Sequence, residues 1–217
     1  MNLSIDILGT DGKVIDKADL NAELFNCGYC IDDPKKRLKP VHEVIRWQLN
    51  RRRSANQHVK NRSEVSGAHR KIRPQKEAGA RQGDGKAPHF RGGGVAFGIH
   101  DRNYNFKLNK KYKQLAMKIV LSHKFSSNGI IVVDDFNGHD LSKTKSAQSF
   151  IKNLIKDDKV LFITSVDQYR SDAMRGIDNL PYINKIPATG LNVHSMCDSK
   201  LVFDKNSLNE IQGRFMK

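Results

Sequence analysis

Residues 81–98 read RQGDGKAPHFRGGGVAFG and place glycines at 83, 85, 92, 93, 94 and 98 among Arg81, Lys86, His89 and Arg91. Glycine lets a backbone approach a ligand where a Cβ would clash, and the cations suit phosphate. Three kinds of segment have this composition: a phosphate-cradling nucleotide loop, a flexible linker, and a stretch lying against RNA. The nucleotide loop needs its glycines between a strand and a helix, so that the helix N-terminus faces the phosphates. Here "RQGDGKAPHF" precedes the triple glycine and "HDRNYNFKLNKK" follows the stretch, neither a strand nor a helix start. The P-loop spacing with its terminal Lys-Ser/Thr is missing as well. Mononucleotide binding is set aside.

Other reactive residue types are sparse. Cys27 and Cys30 form a Cys-x-x-Cys pair, but "ADLNAELFN" before them is not the apolar strand a redox pair follows. A zinc half-site would need a second pair, and Cys197 is distant. Asp134 and Asp135 end an apolar run, where α/β enzymes place metal-binding or phospho-accepting aspartates. An α/β enzyme acting on RNA or nucleotides through that pair is the alternative function. No Ser/His/Asp or Cys/His set is placed for nucleophilic catalysis, and neither a metal nor a cofactor is expected.

The charge is more telling than any single motif. The chain has 217 residues and a formal net charge of +15. Residues 46–113 hold 18 Lys and Arg against four acids (Glu64, Glu77, Asp84 and Asp101), a net +14. The remainder carries 20 basic and 19 acidic residues. Between Asn50 and Gly94 the only branched aliphatics are Val59, Val65 and Ile72, too few to offset ordering costs of roughly 1–2 kcal/mol per residue. A plain linker has little use for Gly92–Gly94 beside Phe90, Val95 and Phe97. Lys and Arg neutralise phosphates, and Arg planes and aromatic rings stack on unpaired bases. The segment therefore reads as an extension that becomes ordered on RNA. Its candidate RNA-binding residues are Arg46, Arg51, Arg52, Arg53, Lys60, Arg62, Arg70, Lys71, Arg73, Lys76, Arg81, Lys86, Phe90 and Arg91, with Gly92, Gly93 and Gly94 as bare backbone. Phe90 and Phe97 would anchor its return to the body.

The flanks must position that segment. "LSIDIL" alternates as a half-buried strand or edge hairpin ended by "GTDGK". From Val41, the positions Val44, Ile45 and Leu49 fit a helix running into Arg51–Arg53. Tyr112, Leu115, Ala116, Ile119, Val120 and His123 mark a helical stripe, as do Ala147, Phe150, Ile151, Leu154 and Ile155. "GIIVVDD" (129–135) and "KVLFIT" (159–164) are continuous apolar runs, as expected of strands covered on both faces. A polar helical stretch (168–178), "YINKI" (182–186), a short helix near 192–195 and "LVF" (201–203) follow. Ser207 and Glu210, spaced as a capping box, open a C-terminal helix. Alternating strands and helices imply a three-layer α/β body with a mainly parallel sheet. Residues 1–45 and 100–217 form that body, and 46–99 a long basic Gly-rich extended loop inserted in it. No apolar run reaches the roughly 20 residues of a membrane span. The N-terminus lacks a basic leader, and three cysteines suit a reducing compartment, so a cytoplasmic location is expected.

"SEVSG" (63–67), "PQKEAGARQG" (74–83), "APHFRGGGVAFG" (87–98) and "KLNKKYKQLAMKIVLSHK" (107–124) closely resemble the bacterial ribosomal large-subunit protein four family. The resemblance implies a structural constituent of the large subunit that binds its rRNA, with other large-subunit proteins as neighbours and no homo-oligomer. It implies that the basic loop reaches inward through rRNA and that its tip lines the nascent-peptide exit tunnel. Carried over by position, the tip is His69, Arg70, Lys71, Ile72, Arg73 and Lys76. The chain departs from the usual pattern there: "RKIRPQKEAGAR" lacks the family's tryptophan and one basic residue, and Glu77 replaces a glycine. Some family members also regulate their own expression.

Overall fold

A computed structural model of the chain describes residues 3–9, 12–28, 34–74, 76, 83–134, 136, 141–155 and 159–215. It divides into two compact units, Met1–Leu49 with Lys107–Lys217, and Asn50–Phe106.

The first unit is built on six strands: β1 (Leu3–Leu8), β2 (Val14–Leu20), β3 (Ile130–Val133), β4 (Val160–Thr164), β5 (Ile183–Pro187) and β6 (Lys200–Asp204). Their order in the sheet is β2-β1-β3-β6-β4-β5. Among the described residues, the β1–β2 hairpin is antiparallel and the other pairings are parallel. All five residues of β4 are buried, which is what a continuous Val-Leu-Phe-Ile run implies for a strand with helices on both faces. Edge strand β2 carries Asp16, Lys17 and Asp19 and is mostly exposed, a composition that discourages pairing with another chain.

Period-two alternation sorts the strand residues onto two faces. Val132, Leu161, Ile163, Leu201 and Phe203 join one apolar cluster. It is completed by α1 (Ala22–Phe25), α2 (Pro34–Arg52), α3 (Lys110–Ser126), α6 (Val193–Cys197) and α7 (Lys205–Phe215). Val133, Val160, Phe162 and Val202 face the other cluster, closed by α4 (Thr144–Leu154) and a 3₁₀ segment over Asp172–Asn179. The first unit is thus a three-layer α/β sandwich with a mainly parallel sheet. Each large aliphatic buried in it contributes about 1.5–3 kcal/mol.

Three expectations are corrected in detail. Helix α2 begins at Pro34, not near Val41. Pro40 lies inside it, and an internal proline normally signals a boundary because it lacks the N–H of the helical ladder. The polar stretch expected to be one helix is two: α5 (Val166–Arg170), capped by Ser165, then the 3₁₀ segment, kinked at Met174. Finally, Ser207 does not open the last helix. Helix α7 leaves β6 directly at Lys205, so Ser207 already lies within it. Its buried hydroxyl sits 2.7 Å from the Asp204 carbonyl oxygen and 2.8 Å from that of Ile163, tying helix to sheet.

Candidate nucleic-acid interface

The second unit begins with the last turn of α2, which ends in Arg51 and Arg52. Beyond it, through Phe106, the described residues form neither helix nor strand. With so few aliphatics, the order comes from isolated backbone hydrogen bonds. Val59 N–H donates to Ile99 O at 2.9 Å, Val95 N–H to Lys60 O at 3.0 Å, and Gly94 N–H to Lys86 O at 2.9 Å. Glu64 and Val65 N–H groups both donate to Asn61 O, closing a turn.

The triple glycine has a use inside this framework. A Cβ at Gly94 would fall inside the backbone of Asn61 and Arg62, and one at Gly93 would fall inside the carbonyl of Ala87. Gly92 has φ +82 with open space around it, a left-handed turn that side chains disfavour. Gly93 and Gly94 thus admit the chain's own backbone. Gly94→Ala should push residues 61–62 and 94–95 apart at a cost of about 1–3 kcal/mol. Amide exchange at Val95 would then speed up by roughly 10–100-fold; unchanged exchange would show that the close approach is dispensable.

Asp84 organises the same region. Its side chain is buried, with Oδ1 3.2 Å from Arg62 Nη2 and Oδ2 3.5 Å from His69 Nδ1. Lys86 is also buried, with Nζ 3.4 Å from His69 Nε2. It therefore differs from the exposed cations Arg51, Arg52, Arg53, Lys60, Arg62, Arg70, Lys71, Arg73, Lys76 and Arg91. Arg46, also exposed, lies on α2 in the first unit. Among the tip candidates, His69 and Ile72 are exposed alongside Arg70, Lys71, Arg73 and Lys76. Arg81 lies outside the described residues. Phe90 is half-buried with its ring 4.2 Å from that of His89. Phe97 is fully exposed at φ +53, which corrects the expectation that it anchors the segment: its backbone conformation turns the ring into solvent.

Two arrangements were not legible in the sequence. Tyr104 lies under two guanidiniums, Arg53 at 4.1 Å and Arg102 at 4.8 Å from the ring centroid. The hydrogen bond from Arg102, supported by both positive charges, holds its hydroxyl below the usual tyrosine range. The other is a cluster of His58, Glu64 and His100, all exposed, whose ligand-capable atoms lie within 4.8 Å of one another. The Asn61 N–H donates to Glu64 Oε2 at 2.9 Å and is the main cause holding that carboxyl below its ordinary range, with His58 and His100 adding to it. The sequence shows Tyr104 only as one of several aromatics among cations, and His58 and His100 as scattered histidines of the basic segment, expected to stack on or donate to RNA rather than to hold a metal.

The sequence pattern of the ribosomal protein L4/L1 family matches residues 20–214. The chain belongs to that family. It is 36% identical over 218 residues to the "Large ribosomal subunit protein uL4" of Wolbachia sp. subsp. Drosophila simulans, covering 100% of this chain and 98% of that one. The protein of the same name from Desulforapulum autotrophicum is 36% identical over 216 residues, covering 99% of each. That of Aquifex aeolicus is 38% identical over 172 residues, covering 78% of this chain and 85% of its own.

Membership of the ribosomal protein L4/L1 family makes the chain a ribosomal protein and not an enzyme. Asp134 is exposed at the end of β3, and its Oδ1 lies 3.8 Å from Lys205 Nζ. Among the described residues, no trio of metal-ligating side chains includes it. Asp135 and Cys30 lie outside the described residues. Cys27 is half-buried, and its N–H donates to Ser122 Oγ at 2.9 Å. No helix among the described residues is long and apolar enough to cross a membrane.

Proposed function

We propose that this chain, a structural protein of the large ribosomal subunit, binds large-subunit rRNA mainly through the unit Asn50–Phe106. One observation carries the reading. That unit holds 13 Lys and Arg against four acids, and two of those acids are engaged internally: Asp84 with Arg62, Glu64 with the Asn61 N–H. Most of its described cations remain exposed, and exposed cations neutralise phosphates and release counterions. Exposed Phe97 offers a face on which an unpaired base stacks, and the two guanidiniums over Tyr104 add planar cations of the same kind.

The resemblance extends the proposal. His69–Lys76 would reach the peptide exit tunnel and meet the nascent peptide, and other large-subunit proteins would be neighbours. The same basic surface would serve any regulation of the protein's own expression through messenger RNA. All of this takes place on cytoplasmic ribosomes.

The test is a triple variant, Arg52→Gln, Lys60→Gln and Arg91→Gln, measured for binding to large-subunit rRNA across a salt series. Three lost phosphate contacts should shrink the slope of log affinity against log salt by about 2–3. An unchanged slope would remove these residues from the interface.

A further inference from the structure

We infer that His58, Glu64 and His100 form a binding site for one divalent transition-metal ion of the zinc class. The inference is independent of the rRNA-binding proposal.

The backbone brings the ligands together. The bond from Val59 N–H to Ile99 O, 2.9 Å, makes residues 58 and 100 the immediate flanks of one bridge between two chain segments. Their rings lie 5.2 Å apart at 62°. The third ligand comes from the turn closed on Asn61 O, where the Asn61 N–H holds the Glu64 carboxylate back toward His58. Glu64 Oε2 lies 3.3 Å from His58 Nε2. The other nitrogen, Nδ1, is 4.0 Å from Asp101 Oδ1. His58 therefore has one ring nitrogen facing the prospective ion, and the other lies near the Asp101 carboxylate, beyond hydrogen-bond distance until the side chain moves closer by about an ångström. Metal-binding histidines are commonly oriented in this way.

The dimensions and the donor set fit. Bonds of about 2.0–2.2 Å to a tetrahedral ion place its ligand atoms roughly 3.3–3.6 Å apart. The trio, all within 4.8 Å, needs a closure of about an ångström, within reach of exposed side chains that can change rotamer. Two imidazoles and a carboxylate favour zinc or its first-row neighbours over magnesium and calcium, which prefer all-oxygen shells. The Asn61 N–H, 2.9 Å from Glu64 Oε2, holds that carboxylate in place. A fourth position is left to water. Such an ion would pin residues 58–64 to the segment at 100, in a unit that otherwise relies on isolated hydrogen bonds.

The full-length chain is titrated with zinc by calorimetry and with cobalt by visible absorption. Expected is one ion per chain at micromolar or tighter affinity, with tetrahedral cobalt bands and no sulfur-to-cobalt charge-transfer band. His58→Ala and His100→Ala should each weaken binding at least tenfold. Glu64→Gln, which keeps the side-chain shape, should do the same, and Asp101→Asn should weaken it by about tenfold. His42→Ala, on α2, should change nothing. Absence of micromolar binding would overturn the inference. So would wild-type affinity in the histidine and Glu64 variants, or a thiolate band placing the ion on cysteine.

Discussion

A chain lacking Ser54–Gly98, closed by a short Gly-Ser link, folds into the α/β body but does not enter the large ribosomal subunit. Both apolar clusters that hold the sheet are built from residues of the first unit. None of the strands and only the final turn of α2 belong to the second. The deletion therefore leaves the core residues in place, and cooperative melting with native helix content is expected. What it removes is nine Lys and Arg, with only three acids, from the most basic part of the chain. If RNA is held there, the loss in affinity should exceed what the remaining cations can make good. Sedimentation of ribosomal particles from cells carrying the tagged deletant reads the outcome. Finding it in large subunits at wild-type stoichiometry would mean that the body alone secures the protein, and the proposed interface would be wrong.

For the intact chain, affinity for large-subunit rRNA drops by about 10³–10⁵ between roughly 50 and 200 mM salt. That range corresponds to about 6–10 neutralised phosphates, a number the eleven exposed cations described in the second unit can supply. Stacking on Phe97 would persist at high salt, because it does not depend on counterion release. The residual affinity at high salt thus measures the aromatic share, and the slope measures the ionic share. Filter binding or fluorescence anisotropy across a salt series separates the two. A flat response would mean that the charge excess is not what holds the RNA, whatever the absolute affinity.

Apolar periodicity made much of the body legible. Strands β3 and β4 were visible as short Val/Ile-rich runs, and α3 and α4 as stripes at helical spacing, because these patterns reflect burial of near neighbours along the chain. Helix α2 was legible only from Val41 onward. Its first turns depend on tolerating Pro40, which no local rule favours. The capping-box spacing at Ser207 and Glu210 misled for a related reason. The strand runs straight into the helix, and Ser207 turns its hydroxyl to the carbonyl of Ile163, 44 residues away.

The sequence by itself determined that a balanced α/β body carries one intensely basic, core-poor stretch, because charge and hydrophobicity are properties of each residue. It also showed why that stretch cannot be a nucleotide loop. Only the tertiary structure decided which residues meet across it. Placing β6 between β3 and β4, burying Asp84 beside Arg62, and setting His58 beside His100 all require distant segments to return to one place. The glycines of RGGGVAFG show the difference most directly. Their number pointed to a backbone pressed against something, but Gly93 and Gly94 give that space to Ala87, Asn61 and Arg62 of their own chain. The physical reason is that a missing side chain leaves a gap whose occupant is chosen by the fold, not by the residue that leaves it.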